Sequence, residues 1–254
     1  MDPLTVSAAA GLRSRQETLD LIANNIANAA TSGFKADRDI GTSYTSIVAR
    51  QGQREDWRPA AAPVPDIRKH WTDFSQGVLQ HTGNSEDLAL ASDGFFEVRT
   101  PAGPRWTRNG NFRVSGTGTL RSSEGFELRV RPPDGAEFRL NPFLGLQVSS
   151  DGVIHQNGRV AGTIEVMSID KPQNLVKEGT SYFRFVEADA SAAPSLAVSP
   201  ELRQGYLEAP NVGPADSAVR LVSVMRQFES LQRALTLGAE MNRRATEETA
   251  RIGS

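Results

Sequence analysis

Residues 3–33 read PLTVSAAAGLRSRQETLDLIANNIANAATSG. Thr5, Ala8, Leu12, Arg15, Leu19, Ile22, Ile26 and Ala29 recur at spacings of three and four, the period of one helix face. Asp2 suits an N-cap, Pro3 a first helical position and Gly33 a left-handed stop, so the pattern predicts a helix over roughly 3–31. A second stripe runs through Leu221, Val224, Phe228, Leu231, Leu235, Gly238, Asn242, Ala245 and Ile252, opened by Pro214 with Asp216 in its first turn. Glu229–Arg233, Glu240–Arg244 and Glu247–Arg251 add i,i+4 pairs in the favoured order. An apolar stripe at each end of a chain needs another helix to bury it, and the expectation is a pair forming a coiled-coil stalk.

Between the helices the period shortens. Asp93-Gly94, Asn109-Gly110, Asp134-Gly135, Asp151-Gly152 and Asn157-Gly158 are turn dipeptides. They separate strand-like runs at 95–98, 105–108, 126–130 and 163–166. A mostly antiparallel all-β domain is expected there, so the fold class is α+β. The Pro-rich run 58–65 is too interrupted for a regular element and reads as an extended arm. The expected division is 1–34 as an N-terminal assembly helix, 35–76 as a linker or arm, 77–205 as the β-rich domain, and 206–254 as the C-terminal assembly helix with its lead-in.

At 254 residues the chain can bury a sizeable core, and a net charge of −2 leaves no electrostatic footprint for nucleic acid or an anionic membrane surface. Four Lys, at 35, 69, 171 and 177, stand against 24 Arg. The absence of cysteine removes disulfides, thiolate chemistry and Cys-ligated zinc. No stretch reaches the ~18–20 apolar residues of a membrane span, so no membrane insertion is expected. The start lacks a basic n-region and Arg13 and Arg15 interrupt any apolar h-region, so no cleaved signal is expected.

Chemistry is sparse. His70, His81 and His155 stand apart, and no nucleophile elbow, phosphate loop or zinc-protease motif occurs. Catalytic residues, cofactor and metal ligands, and a small-molecule substrate are therefore all expected to be absent. The unusual feature is Asn24, Asn25 and Asn28 within five residues of a helix, because Asn is a mediocre helix former. Asn24, Asn28 and Thr31 fall at i, i+4, i+7. That spacing fits either a fraying helix end or a polar seam that fixes helix register.

Residues 24–35, NNIANAATSGFK, resemble the N-terminal signature of the bacterial flagellar rod and hook proteins. The resemblance continues in order through GFFEV at 94–98, WTRNGNF at 106–112, GTGTL at 116–120 and QGYLEAPNV at 204–212, spanning nearly the whole chain. Carried over residue by residue, the family motif falls on Thr31, Gly33, Phe34, Lys35, Gly94, Phe95, Phe96, Thr107, Arg108, Gly110, Phe112, Gly205, Glu208, Asn211 and Val212. Ala209-Pro210 departs from the family's usual serine beside Asn211, and SEDLAL at 85–90 matches only imperfectly. The short 36–80 segment favours the proximal-rod type over the distal-rod type.

The resemblance implies a self-associating structural subunit of an axle that carries torque from motor to hook. It implies export as an unfolded chain by the flagellar type III apparatus, a place in the periplasm-spanning rod, and other rod and hook proteins as partners. The expected assembly interface is Leu12, Leu19, Ile22, Asn24, Asn25, Ile26 and Asn28 on the first helix. On the last it is Leu221, Val224, Phe228, Leu231 and Leu235. Two further classes compete: a β-domain hydrolase with helical ends, and a secreted binding module on a helical stalk that uses Trp57, Trp71 or Trp106.

Overall fold

The computed structural model describes residues 3–39, 70–133, 137–186 and 194–252; within the helices, the side chains described are those of 9, 11–27, 214–241, 243, 244 and 247. The Pro-rich arm, Trp57, the Asp134-Gly135 turn, and the stripe positions Thr5, Ala8, Asn242, Ala245 and Ile252 lie outside that description. The chain divides into two compact units. One comprises Met1–Ala27, Asp37–Trp71 and Gly213–Ser254, and the other Asn28–Ala36 and Thr72–Val212.

The first unit is built on helices α1 (Pro3–Ala27) and α2 (Pro214–Ile252), which pack on each other. Both expected helices form, but α1 stops at Ala27, short of the predicted 31. The asparagines explain the early stop. The Asn28 carbonyl accepts the Thr31 N–H at 3.0 Å, and the Thr31 hydroxyl meets Asn28 Oδ1 at 3.4 Å, so side chain and backbone close a turn instead of another helical rung. The i, i+4, i+7 face of Asn24, Asn28 and Thr31 therefore does not exist as a helical seam. Strand Asp37–Asp39, whose ribbon partner is His70–Thr72, lies along α1.

The second unit is β-structure, and its strand pairings among the described residues are antiparallel. The main sheet runs in the order Leu175–Glu178, Tyr182–Phe185, Gly103–Thr107, Phe95–Thr100, Glu127–Leu128, Leu120–Ser122, Phe112–Val114. A four-stranded sheet orders Val130–Arg131, Arg159–Ile164, Val153–Gln156 and Gln147–Val148. Of the turn dipeptides, Asn157-Gly158 makes a two-residue hairpin: both residues take positive φ, 52° and 74°, and Gln156 pairs with Arg159. The Phe95-Phe96 step shows why strands here lack polar alternation. Neighbouring residues of a strand face opposite sides, and both sides are covered. Phe96 packs with Val98, Phe112, Leu120 and Ile164, while Phe95 packs with Trp106, Leu175 and Phe183.

Candidate functional site: a helix pair and a buried lock

In the helical unit, the predicted α2 stripe is its least exposed face. Val224 is buried, and Leu221, Phe228, Leu231, Leu235 and Gly238 are half-buried while their neighbours are open. On α1 the deepest positions are Ile22, from the apolar stripe, and Ser14, Thr18 and Asn25, one step round from it; Leu12, Leu19 and Ile26 are half-buried and Asn24 is exposed. Polar residues go under because the Asp37–Asp39 strand bonds them. Asn25 Nδ2 donates to Asp37 O at 2.7 Å, and its Oδ1 accepts the Asp37 N–H at 3.1 Å, so the amide copies a strand neighbour. Thr18 donates to Ser14 O at 3.1 Å and to Asp39 Oδ2 at 3.2 Å, and the same oxygen meets Arg220 of α2 at 3.6 Å. Position 18 thus lies near 220, while a Cβ on Gly11 would touch Leu231 at 3.7 Å. The helices run in opposite directions.

The β unit holds a different construction. Glu208, from strand Tyr206–Glu208, is 1% exposed and serves three segments with one carboxylate. Its Oε1 accepts from Lys35 Nζ at 2.6 Å and from the Gly77 N–H at 2.9 Å, and its Oε2 faces Arg108 Nη1 at 3.4 Å. Lys35, also 1% exposed, spends a second proton on Ser75 O at 2.7 Å, and Arg108 reaches Ser92 O at 3.1 Å. Asn211 bridges next door, accepting the Ala36 N–H at 2.7 Å and donating to Asp73 O at 2.7 Å. Lys177 Nζ lies 4.2 Å from the centre of the buried Phe34 ring and donates to Lys35 O at 2.6 Å. Thr107 carries the adjoining turn: its hydroxyl donates to Ser181 O at 2.7 Å and accepts the Asn109 N–H at 3.0 Å.

Two cations share one carboxylate out of water. Burial pushes the Lys35 ammonium pKa below its ordinary value, with Glu208 pulling it back. The Arg108 guanidinium is lowered for the same reason and opposed by the same partner. Removing the anion would strand both charges, whereas this arrangement pairs both with it, although the buried Arg108 Nε finds no acceptor among the described residues. Two glycines make the closure possible. Gly33, at φ 69°, passes so close to the Arg108–Asn109 backbone that a Cβ would sit 2.3 Å from Asn109 N, and one on Gly110 would sit 1.5 Å from Leu88 O. The motif residues Gly33, Phe34, Lys35, Thr107, Arg108, Gly110, Glu208 and Asn211 thus converge on one lock. Phe95, Phe96 and Phe112 belong to the strands and cores of the same unit, Gly94 directly precedes the strand Phe95–Thr100, and Gly205 and Val212 lie on either side of the closing strand. Asp73, Ser75 and Lys177 also take part in the lock, and Thr18 and Asp39 in the helical unit; no sequence pattern pointed to them, beyond the scarcity of lysine for Lys177.

Nothing in this arrangement resembles a reaction centre. Among the described residues, no group of three or more acidic or imidazole side chains could hold a metal, and no helix is long and apolar enough to cross a membrane. His81 is packed edge-on against Tyr206 at 4.9 Å, and Trp106 is buried in the second core.

Three family profiles match the chain. "Flagella basal body rod protein" covers residues 6–35, "Flagellar hook protein FlgE/F/G D1 domain" covers 89–160, and "Flagellar basal body rod FlgEFG protein C-terminal" covers 203–248. The flagellar basal-body rod protein FlgF of Caulobacter vibrioides is 31% identical across 94% of this chain and 96% of its own length. This chain belongs to the flagellar basal-body rod protein family. FlgF of Mesorhizobium japonicum is 32% identical over 90% of both chains, and FlgG of Bacillus subtilis is 27% identical over 92% of this chain and 94% of its own. The chain is accordingly a structural subunit of the basal-body rod and not an enzyme. The first and last profiles fall on α1 and α2 with the lock segments that adjoin each in sequence.

Proposed function

We propose that this chain is a proximal-rod subunit, assembling with its own copies and with neighbouring rod and hook proteins to form part of the axle that carries torque to the hook. The observation that carries the proximal assignment is full-length similarity at 31% and 32% to two FlgF proteins, against 27% to a FlgG protein of comparable coverage. In this reading α1 and α2 supply the assembly element, with coiled-coil packing against helices of adjacent subunits, and the β unit is the rigid body attached to it. Leu12, Leu19, Ile22 and Ile26 with Leu221, Val224, Phe228, Leu231 and Leu235 hold the element together, since a charge forced among them would be costly to bury. The chain reaches the periplasm unfolded, through the flagellar export apparatus.

The test is placement within purified basal bodies. Cells lacking this chain should build no rod beyond its base, and a tagged copy restored to them should lie at the motor-proximal end. A rod of normal lower section, with the tagged copy confined to its outer end, would assign the distal role instead. Absence of the tagged chain from basal bodies that are otherwise complete would overturn both.

A further inference from the structure

Four Asn-Gly or Asp-Gly pairs lie among the described residues, at 93–94, 109–110, 151–152 and 157–158. In such pairs the glycine nitrogen can reach the preceding side-chain carbonyl, because no Cβ on the glycine hinders the approach. Three of the four are shut. Gly94 is buried, and a Cβ on it would lie 2.7 Å from Val166 Cγ1. Gly110 is buried against Leu88 O, and Asn109 Oδ1 is held by the Asn111 N–H at 3.1 Å. At 151–152 the nitrogen itself is engaged, since the buried Gly152 N–H donates to Ser149 O at 2.9 Å.

Asn157-Gly158 is open. Both residues are exposed, and a Cβ on Gly158 would meet nothing within 4 Å. Among the described residues no hydrogen bond restrains the Asn157 side chain, and Asn157 is the one non-glycine residue with positive φ. An Asn-Gly tip is first of all a turn former. Its openness, beside three shut counterparts, gives this one a chemistry that they lack.

We propose that Asn157 is a site of spontaneous conversion to isoaspartate, and that the conversion releases the loop at 141–144. The Gly158 backbone nitrogen attacks Asn157 Cγ, closing a five-membered succinimide. The bond from Cγ to Nδ2 breaks, and ammonia leaves with the proton given up by Gly158. Water then opens the ring. Opening at the backbone carbonyl gives isoaspartate, whose chain runs through the side-chain CH2; opening at Cγ gives aspartate. Nothing is oxidised or reduced, and water is the sole co-reactant, so the change accumulates in any copy that is kept and not replaced.

The loop is coupled to the tip through Gln156. Isoaspartate adds a backbone atom to a two-residue turn whose strands pair at Gln156 and Arg159. Gln156 also clamps the neighbouring loop: its Oε1 accepts the Asn141 N–H at 2.8 Å, and its Nε2 donates to Asn141 O at 2.9 Å and to Leu144 O at 3.3 Å. A shift at the strand end turns that side chain away from its partners. The loop thus released carries Phe143, which is 93% exposed.

The test follows the folded full chain in mildly alkaline buffer, beside a second sample in concentrated denaturant. Peptides are prepared in acid, and isoaspartate at each position is quantified by mass, chromatographic retention and labelling with an isoaspartyl methyltransferase. In denaturant Asn109 and Asn157 should convert at similar rates, whereas in the folded chain Asn157 should convert at least tenfold faster than Asn109. Folded Asn109 keeping pace with Asn157, a folded Asn157 that does not convert, or an equal gap already present in denaturant would overturn the proposal. The isoaspartyl form, separated by its added negative charge, should exchange the Asn141 N–H at least tenfold faster than the starting chain. An Asn157→Asp chain, which carries the same charge on an ordinary backbone, should keep that amide protected. Unchanged exchange at Asn141 in the isoaspartyl form, or an equal loss of protection in Asn157→Asp, would overturn the release of the loop.

Discussion

The two units solve the problem of burying polar groups in opposite ways. The β unit draws Lys35, Arg108 and Glu208 inside and pairs them across segments far apart in sequence, Lys35 and Glu208 being 173 residues apart. The helical unit buries Ser14, Thr18 and Asn25 beneath one short strand, leaves most of its apolar stripe only half covered, and keeps a second face open. A region that closes on itself with charges inside is committed to one conformation, because any opening strands those charges. A region with half-covered helices has stability still to gain from neighbours. The buried lock therefore commits the β unit to one conformation, and under the proposed function the helical unit is the part that assembly completes.

The largest effect expected is at the lock. Glu208→Ala should destabilise the β unit by about 3–5 kcal/mol, since two buried cations lose their shared anion. Denaturant unfolding followed by the buried Trp106 would measure it. A cost near that of a surface substitution would break the contrast at its strongest point. Gly110→Ala comes next, at about 1–3 kcal/mol, because the new methyl would overlap Leu88 O and force the backbone apart; the same unfolding curve reads it.

How far these features were legible depended on how local their causes are. The α2 stripe was readable because a single helix period determines which side chains go under, and Leu221, Val224, Phe228, Leu231 and Leu235 took the covered face as expected. On α1 the periodicity placed the helix but missed the burial of Thr18 and Asn25, since their hydrogen-bond partners arrive from Asp37–Asp39 and hydrophobicity carries no sign of that. The motif residues could be recognised one by one. Their chemistry could not be, because a buried carboxylate holding Lys35 and Arg108 exists only after three distant segments meet.

Smaller effects sharpen the helical side. Asn25→Ala should cost about 1–2 kcal/mol, as it leaves the N–H and C=O of Asp37 without their partner amide. That loss should fall on α1 and spare the β unit, which helix-resolved hydrogen exchange would distinguish. Arg13→Ala removes an open i,i+4 pair with Glu17 and should change stability by less than about 0.5 kcal/mol. A larger change at Arg13 would mean the exposed face of α1 is already engaged in the isolated chain.

The most direct measurement is residue-resolved native-state hydrogen exchange on the full chain at a dilution where it is monomeric. Protection along Phe95–Thr100 and Gly103–Thr107 should reflect global unfolding, while amides in the half of α2 beyond Leu231 should exchange at least a hundredfold faster. Equal protection in the strands and in that part of α2 would contradict the account, because the helical unit would then be as complete alone as the β unit.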